Sequence, residues 1–289
     1  PSHVRSIFFE ILPRKSQAHW NVVTMTLIQI IVLALIQGLT EFLPVSSSAH
    51  LILGSKLLGW PDQGLVFDVA THLGTLLAVL FYFRRELTDM VSCWFRPVAS
   101  EGDRQNRSMS IYLAAASVAT LFIGFLAFDM IAGHLRDIRV IALSTIGFGI
   151  LLWVADATTK ENKGIESITL QGALLIGLAQ ACALIPGTSR SGVTITAGRL
   201  LGLSPDAAAR FSFLLSVPVI AAAGGYGFLR AVTGEAQIDW VQFLMAMIFA
   251  ALAGWVCIAA FLALLKKVGL LPFIIYRLIL GLVLLWIIF

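Results

Sequence analysis

Two short polar segments with a similar residue order interrupt an otherwise apolar sequence, at residues 43–50 and 185–192. The first reads Leu-Pro-Val-Ser-Ser-Ser-Ala-His, and the second reads Ile-Pro-Gly-Thr-Ser-Arg-Ser-Gly. Polar groups are costly at membrane depth, about 2.5 to 3.5 kcal/mol for an arginine, so they occur there with a partner or a function. The sequence therefore predicts a functional site where these two turns meet.

A carboxylate precedes the first turn. Gln37 and Glu41 are four residues apart, so a helix places both on one face just before the break at Pro44. Glu41 then points toward the turn as a candidate general acid or base, and Glu41 with Gln37 could supply oxygen ligands to a hard divalent cation. The alternative is an interfacial carboxylate at the end of a hairpin, and the apolar surroundings favour the chemical role.

Three consecutive serines and a histidine form the first turn. Ser46, Ser47 and Ser48 are predicted to start the returning helix, where unpaired backbone N–H groups and the helix dipole favour an anion. Capping alone explains any single serine. His50 lies one helical turn after Ser47, within reach as a base or a phosphate contact, and a hydrogen-bonded structural histidine is the alternative.

The second turn contributes five residues to the predicted substrate site: Gly187, Thr188, Ser189, Arg190 and Ser191. Gly187 has no Cβ and permits a close approach of the backbone. A guanidinium matches phosphate bidentately, so Arg190 with two opposing helix N-termini would form a phosphate-sized anion site near the membrane midplane. The alternative is an arginine that extends to the lipid headgroups, and the central position of Arg190 in its segment disfavours it.

Three further polar residues carry less weight. Asp68 and His72 share a helix face near the outer end of a predicted span, so solvation at the interface accounts for them, and at most they rim the site. Arg277 lies near the inner end of the last span, where an arginine extending to the headgroups or a structural role is expected.

The composition indicates a membrane protein. The 289 residues are 58% hydrophobic and 12% charged, with a mean hydropathy of +0.91, which is too little polar surface for a soluble globule of this length. The net charge of +4 is small and its basic residues cluster in short loops, which excludes a nucleic-acid-binding surface. Three widely spaced cysteines have neither disulfide nor metal-ligand spacing.

These features predict an all-α polytopic membrane protein. Six apolar segments have the length of a transmembrane helix, at about 65–83, 108–131, 140–156, 208–230, 240–265 and 270–289. The two segments that carry the turns, about 26–58 and 170–202, each have room for two short helices. Irregular backbone is tolerated at membrane depth only where protein or a wet cavity satisfies it, so both segments are predicted to be re-entrant hairpins.

An internal duplication is indicated by the shared turns. Residues 43–47 align with 185–189, and a following Leu-Leu-Gly and Pro-Asp at 57–62 aligns with 200–206. Each unit then holds one hairpin plus three spans, and an odd number of crossings predicts an inverted-topology repeat. We expect a leader of open structure at 1–24 and one membrane domain at 25–289, with repeats at about 25–158 and 168–289.

Basic residues predict an orientation. Loops 84–107 and 157–169, the connector near Lys266 and the end of the second hairpin fall on one side, which the positive-inside rule makes cytoplasmic. Loop 132–139, with Arg136 and Arg139, is the exception. Met25 and Phe289 are then expected outside.

At these motifs the sequence resembles the bacterial undecaprenyl-diphosphatases, also called bacitracin-resistance proteins (BacA/UppP), over about residues 25–289. The resemblance is carried by residues 37–47 with His50, and by residues 186–192. Gln37 stands where some members have glutamate, and Ala49 where many have glycine. The resemblance implies hydrolysis of undecaprenyl diphosphate to undecaprenyl phosphate and inorganic phosphate in the bacterial cytoplasmic (inner) membrane, with the site open to the periplasm or cell exterior.

The same resemblance implies roles for four residues. Ser47 would be the nucleophile, Arg190 would hold the diphosphate, Glu41 would bind metal or move protons, and His50 would act as a base or assist the phosphoryl intermediate. A divalent cation, Mg²⁺ or Ca²⁺, is implied as cofactor, and one arginine with two helix N-termini would otherwise be a small positive complement for a diphosphate. The expected partners are a polyprenyl diphosphate substrate and membrane lipids, and a homodimer is compatible with the sequence.

A transporter or flippase for a polyprenyl phosphate is the alternative function. Inverted repeats with opposed re-entrant hairpins are the architecture of secondary transporters, and fold alone does not separate the two. Ser47, His50 and Glu41 distinguish them, because transport needs an anion site and no nucleophile. A structural scaffold would leave Arg190 without a role.

Overall fold

The chain forms eleven α-helices over the part that the structure, a computed structural model, describes: residues 25–60, 63–134, 137–233 and 238–288. In chain order they are α1 Leu27–Phe42, α2 Ser47–Leu58, α3 Gly64–Tyr82, α4 Arg84–Ser92, α5 Glu101–His134, α6 Ile138–Thr158, α7 Leu170–Gln180, α8 Arg190–Leu200, α9 Pro205–Thr233, α10 Trp240–Val268 and α11 Leu271–Ile288. Two short 3₁₀ helices add to these, Ile165–Ser167 and Ala181–Leu184. The predicted leader at 1–24, residues 61–62 of the repeat alignment and Arg136 lie outside the described residues.

Six helices in the described ranges are long and apolar enough to cross a membrane: Gly64–Tyr82, Glu101–Gly124, Ile138–Thr158, Pro205–Thr233, Trp240–Val268 and Leu271–Ile288. Each overlaps one of the six predicted spans, which confirms the all-α polytopic membrane fold. The segment predicted as a loop at 84–107 contains α4 and the first turns of α5. Its arginines therefore lie on helices and between them.

The two segments that carry the polar turns each fold into a pair of short helices. Thr26 starts α1 with a reciprocal capping box to Gln29, and Thr169 caps α7 through the backbone N–H of Gly172. Helix α1 ends at the first turn, from which α2 returns, while α7 runs through a 3₁₀ turn into the second turn, from which α8 returns. Two helix–turn–helix hairpins thus stand where they were predicted, and their re-entrant position in a membrane stays a prediction.

Helices at corresponding positions of the two units each pack against helices of the other unit. Helix α1 packs on α10 of the second unit, and α7 packs on α5 of the first, while α3 contacts α9 and α6 contacts α11. This packing depends on close backbone approach: a Cβ on Gly38 would lie 2.6 Å from the carbonyl oxygen of Ala250, and a Cβ on Gly177 would overlap the backbone of Ala116. This pattern fits the predicted duplication, and the inverted orientation stays a prediction.

Charged residues from the basic segments meet at one end of the helix bundle. Arg199, 4% exposed at the end of α8, bonds Asp156 through Nε at 2.9 Å and two backbone carbonyls that follow α6. Arg210 lies 3.6 Å from Glu86 on α4, and Asp206 lies 3.8 Å from Lys266. The segments predicted to share one side of the membrane therefore share one end of the protein.

Candidate active site

Each polar turn ends in a serine that caps the returning helix. Ser46 and Ser189 have positive φ angles of 74° and 69°, a region that costs a non-glycine residue about 1–3 kcal/mol and that clusters at functional sites. The Ser46 hydroxyl accepts from the backbone N–H of Ala49 at 3.4 Å, and the Ser189 hydroxyl accepts from that of Gly192 at 3.1 Å. The same strained cap therefore opens both helices.

Arg190 occupies in the second turn the position that Ser47 occupies in the first. Each is the first helical residue after the capping serine. The sequence alignment paired Ser47 with Ser189, and the structure shifts this pairing by one, because the second turn holds one more residue between its proline and its cap. A hydroxyl stands at the start of α2 and a guanidinium at the start of α8.

The two turns are joined by direct hydrogen bonds. The Ser191 hydroxyl donates to the carbonyl oxygen of Leu43 at 2.8 Å, and the backbone N–H of Gly187 donates to the Ser48 hydroxyl at 3.3 Å. These two bonds pair irregular backbone groups within the protein, as backbone at membrane depth requires. They also fix the distance between the starts of α2 and α8.

A fully buried arginine of α11 holds both turns from behind. Arg277 donates through Nε to the carbonyl of Thr145 at 2.8 Å and through Nη1 to that of Pro44 at 3.4 Å. Its Nη2 donates to the carbonyls of Gly187, at 2.9 Å, and Thr188. Of the two roles expected for Arg277, the structure therefore shows the structural one, and the side chain does not extend to the lipid headgroups.

The turns enclose a polar cavity of about 550 Å³, counted with its open mouth. It is lined by Thr40, Glu41, Ser46, Ser47, Ser48, His72, Ala183, Ile185, Gly187, Ser189 and Arg190. Seven of the predicted site residues are therefore brought together: Glu41, Ser46, Ser47, Ser48, Gly187, Ser189 and Arg190. About 200 Å³ of this space is open to groups the size of water, which is less than the range of about 300–1,000 Å³ that drug-sized ligands occupy.

Glu41 is the centre of the hydrogen-bond network in this cavity. Its Oε2 accepts from the Ser47 hydroxyl at 3.1 Å and from Gln37 Nε2 at 2.9 Å. Its Oε1 accepts from Arg190 Nη2 at 3.3 Å, and Arg190 Nη1 donates to the carbonyl of Ser212 at 3.0 Å. Glu41 is 8% exposed and Arg190 12%, so this ion pair is shielded from solvent and strongly interacting.

His72 reaches the cavity from α3, where sequence reasoning placed it at most on the rim. Its Nδ1 lies 2.7 Å from the carbonyl oxygen of Asp68, which makes Nδ1 the protonated nitrogen. Its Nε2 lies 3.4 Å from Gln37 Nε2 and 3.9 Å from Glu41 Oε2. The sequence feature that could have indicated this position is that His72 is a polar residue on a span that begins just after the first hairpin.

Four predicted site residues do not line the cavity: Gln37, His50, Thr188 and Ser191. His50 has both ring nitrogens engaged, Nδ1 at 2.7 Å from the carbonyl oxygen of Ser46 and Nε2 at 2.7 Å from the Tyr276 hydroxyl, and it does not line the cavity. Thr188 and Ser191 are fully buried behind the second turn. In this structure neither side chain forms part of the cavity surface, and the substrate contacts expected of Thr188 and Ser191 stay predictions.

Oxygen ligands for a cation are available beside the cavity. No cluster of three or more histidine, cysteine, aspartate or glutamate side chains suited to a metal occurs in the ranges that the structure describes. Glu41 offers its carboxylate, and the buried Gln37 Oε1 has no hydrogen-bond partner among the described residues, while Gln37 Nε2 donates to Glu41. The residues predicted as metal ligands, Glu41 and Gln37, are thus adjacent and fit a hard divalent cation that keeps open positions for substrate oxygens.

This arrangement has the parts that phosphoryl transfer requires. The Ser47 hydroxyl is hydrogen-bonded to a carboxylate, as an activated nucleophile would be, and that carboxylate is paired with Arg190, which has further donors for phosphate oxygens. The N-termini of α2 and α8 both open at the cavity, where their backbone N–H groups favour an anion. An anion bound here would lie beside a positioned hydroxyl.

Comparison with known proteins identifies the family. The sequence model of the family described as "Bacitracin resistance protein BacA" matches residues 30–283. The chain is 50% identical over 257 residues to "Undecaprenyl-diphosphatase 1" of Pseudoalteromonas translucida, covering 89% of this chain and 97% of that protein. It is 52% identical over 270 residues to "Undecaprenyl-diphosphatase" of Colwellia psychrerythraea, covering 91% and 99%. The chain therefore belongs to the BacA family of bacitracin resistance proteins.

Proposed function

We propose that this chain is a membrane phosphatase that hydrolyses undecaprenyl diphosphate to undecaprenyl phosphate and inorganic phosphate. Relatives at about half identity over nearly their whole length carry the name of this activity. The reaction recycles the lipid carrier of cell-wall synthesis, and the family description links it to bacitracin resistance. The observation that carries the proposal is the hydrogen bond from Ser47 to a carboxylate paired with Arg190.

The chemistry assigns one role to each of these groups. The Ser47 hydroxyl oxygen attacks the terminal phosphorus of the diphosphate and passes its proton to Glu41. The bond between that phosphorus and the bridging oxygen breaks, and undecaprenyl phosphate leaves with the bond electrons. Water then attacks the phosphorus of the phosphoserine, and the bond between that phosphorus and Ser47 Oγ breaks. Glu41 returns its proton to the serine oxygen, and the protons of the water leave with inorganic phosphate. Arg190 and the two helix N-termini stabilise charge on the transferred phosphoryl group.

A divalent cation, Mg²⁺ or Ca²⁺, is part of the proposal. Glu41 and Gln37 would hold it, which the partnerless buried Oε1 of Gln37 supports. When bound, the cation supplies positive charge to the diphosphate oxygens. In the structure without the cation, Ser47, Gln37 and Arg190 all donate hydrogen bonds to the two oxygens of Glu41.

We place the protein in the bacterial inner membrane with its cavity open to the periplasm or cell exterior. The clustering of Arg199, Arg210 and Lys266 at one end of the bundle supports a single cytoplasmic end by the positive-inside rule. A diphosphate lipid left on the outer leaflet would then reach the cavity without crossing the membrane.

A flippase would also need the anion site, but it would not need the hydrogen bond between Ser47 and Glu41. The discriminating experiment is phosphate release from undecaprenyl diphosphate by the purified protein and two variants. Ser47→Ala is expected to abolish turnover while lipid binding persists, because alanine has no nucleophilic oxygen. Ser117→Ala is the control, since Ser117 is a buried serine of α5 whose hydroxyl bonds only its own helix, to Leu113.

Normal phosphate release from Ser47→Ala would refute the proposed chemistry. Lipid movement without phosphate release from the unaltered protein would favour the flippase.

A further inference from the structure

The imidazole of His72 is held as a metal-binding histidine is held. Its Nδ1–H donates to the carbonyl oxygen of Asp68 at 2.7 Å, one turn earlier on α3. This bond leaves the lone pair on Nε2, directed at the cavity side of Glu41 and Gln37. Histidines that bind metals donate their other ring N–H to a carbonyl or carboxylate in the same manner, which fixes both tautomer and ring orientation.

Three ligand positions surround one point beside Glu41. Gln37 Nε2 lies 2.9 Å from Glu41 Oε2 and 3.4 Å from His72 Nε2, and the latter two atoms are 3.9 Å apart. A triangle with these edges has a circumradius of about 2.0 Å, and bonds from nitrogen and oxygen to Mg²⁺ or Zn²⁺ are about 2.0 to 2.2 Å. One ion of this size therefore reaches all three positions without movement of the helices.

The amide of Gln37 already contains the third donor. Gln37 is fully buried, and its Oε1 has no hydrogen-bond partner, while Nε2 faces the two acceptors of Glu41 and His72. A half-turn of the amide exchanges these two atoms and presents the carbonyl oxygen at the triangle. Without a cation the amide nitrogen bridges the acceptors, and with a cation the oxygen replaces it.

We propose that His72 is a third protein ligand, with Glu41 and Gln37, of the divalent cation in this site. The inference deepens the proposed function by giving the cation site of this chain a nitrogen ligand. The three atoms lie nearly in one plane with such an ion, which leaves coordination positions off that plane for phosphate oxygens. Of the two ions proposed above, such a mixed site favours Mg²⁺ over Ca²⁺, which prefers oxygen ligands at longer distances of about 2.3 to 2.6 Å, and it also accepts Mn²⁺ and Co²⁺.

The test is electron spin echo modulation of Mn²⁺ bound to tag-free purified protein without lipid substrate. Mn²⁺ coordinated by His72 shows coupling to a directly bound ¹⁴N, and histidine labelled with ¹⁵N changes that signal. The coupling is expected to vanish in His72→Gln and in His72→Asn. It is expected to remain in His50→Gln, because the His50 nitrogens bond Ser46 and Tyr276.

A second measurement compares ion selectivity by titration calorimetry. Loss of a partner in the second coordination shell already weakens metal binding about 10- to 100-fold, so His72→Gln is expected to weaken Co²⁺ binding at least about tenfold and to spare Ca²⁺. Three results would each overturn the inference: Mn²⁺ that does not bind, bound Mn²⁺ without nitrogen coupling, or nitrogen coupling that survives in His72→Gln. Because neither measurement uses turnover, these results leave phosphate release from undecaprenyl diphosphate as a separate test of the proposed function.

Discussion

Replacement of Arg190 by lysine tests whether the site needs the several donors of a guanidinium or only its positive charge. Arg190 divides its donors between Glu41, through Nη2 at 3.3 Å, and the carbonyl oxygen of Ser212, through Nη1 at 3.0 Å. A lysine ammonium keeps the charge at a single point and cannot span both partners while it also contacts phosphate. Arg190→Lys therefore removes positioning and leaves the net charge unchanged.

The magnitude follows from the number of contacts that the lysine loses. A hydrogen bond to a charged group contributes about 1.5–3 kcal/mol, and lysine forfeits one or two of them in the transition state. The loss of about 2–5 kcal/mol corresponds to a decrease in kcat/KM of about 30- to 5,000-fold, since about 1.4 kcal/mol is one factor of ten. Both kcat and KM are expected to change, because the contact acts on bound substrate and on the transition state.

The assay is steady-state phosphate release in detergent, after gel filtration has shown that the variant is folded. Arg210→Lys is the matched control, because Arg210 pairs with Glu86 and Asp206 on a partly exposed surface. Such pairs contribute about 0–1 kcal/mol to stability, so this variant is expected to retain nearly all of its kcat/KM. A kcat/KM for Arg190→Lys within threefold of the unaltered protein would refute the positioning role.

Three further predictions concern the architecture. Arg277→Met is expected to lower the thermal midpoint in detergent by an amount equivalent to about 3–5 kcal/mol, because buried carbonyls of both turns lose their hydrogen-bond donor. An unchanged midpoint would contradict the structural role of Arg277. Gly177→Leu should destabilise the fold while Gly225→Leu is tolerated, since a Cβ meets backbone at the first position and open space at the second, and equal melting curves would argue against close packing. In a cysteine-free background, a cysteine at Arg84, just after α3, should be protected from an impermeant thiol reagent in intact cells, and one at Thr233, at the equivalent end of α9 in the second unit, should react; the same reactivity at both would exclude the inverted repeat.

The sequence was sufficient to predict the helical architecture, because each of its main features is local. Six apolar stretches reach the length of a bilayer core, and the structure has helices at all six. The two turns were marked by proline and hydroxyl residues in apolar surroundings. Glu41, Ser47 and Arg190 could be grouped because each lies within a few residues of a turn, and the turns could be paired by their likeness.

The contribution of His72 depended on packing that no local pattern specifies. Its position at the cavity follows from the way α3 packs against α1, and the helical period of α3 alone left its polar face at the interface. His50 failed as a cavity residue for a similar reason, since its hydrogen-bond partner Tyr276 is 226 residues away. Long-range contacts of this kind determine that His72, and not His50, lies beside the Glu41 carboxylate.

The one-residue shift between the turns was also beyond the sequence alignment. The prolines of the two motifs match best when Ser47 is paired with Ser189, and only the backbone angles of the capping serines pair Ser47 with Arg190. The shift matters because it places unlike side chains at equivalent helix starts. In the proposed mechanism, the residue at this position acts as the nucleophile in the first turn and binds phosphate in the second.

Detection of a phosphorylated intermediate is the most direct measurement of the central claim, which is that Ser47 attacks the substrate. The purified protein is mixed with undecaprenyl diphosphate labelled in its terminal phosphate and quenched within one turnover, in acid and in alkali, before peptide mass spectrometry. We predict acid-stable phosphate on Ser47, and no protein-bound phosphate in Ser47→Ala. Phosphate release with no labelled protein, or acid-labile label on His50 in place of Ser47, would contradict the account.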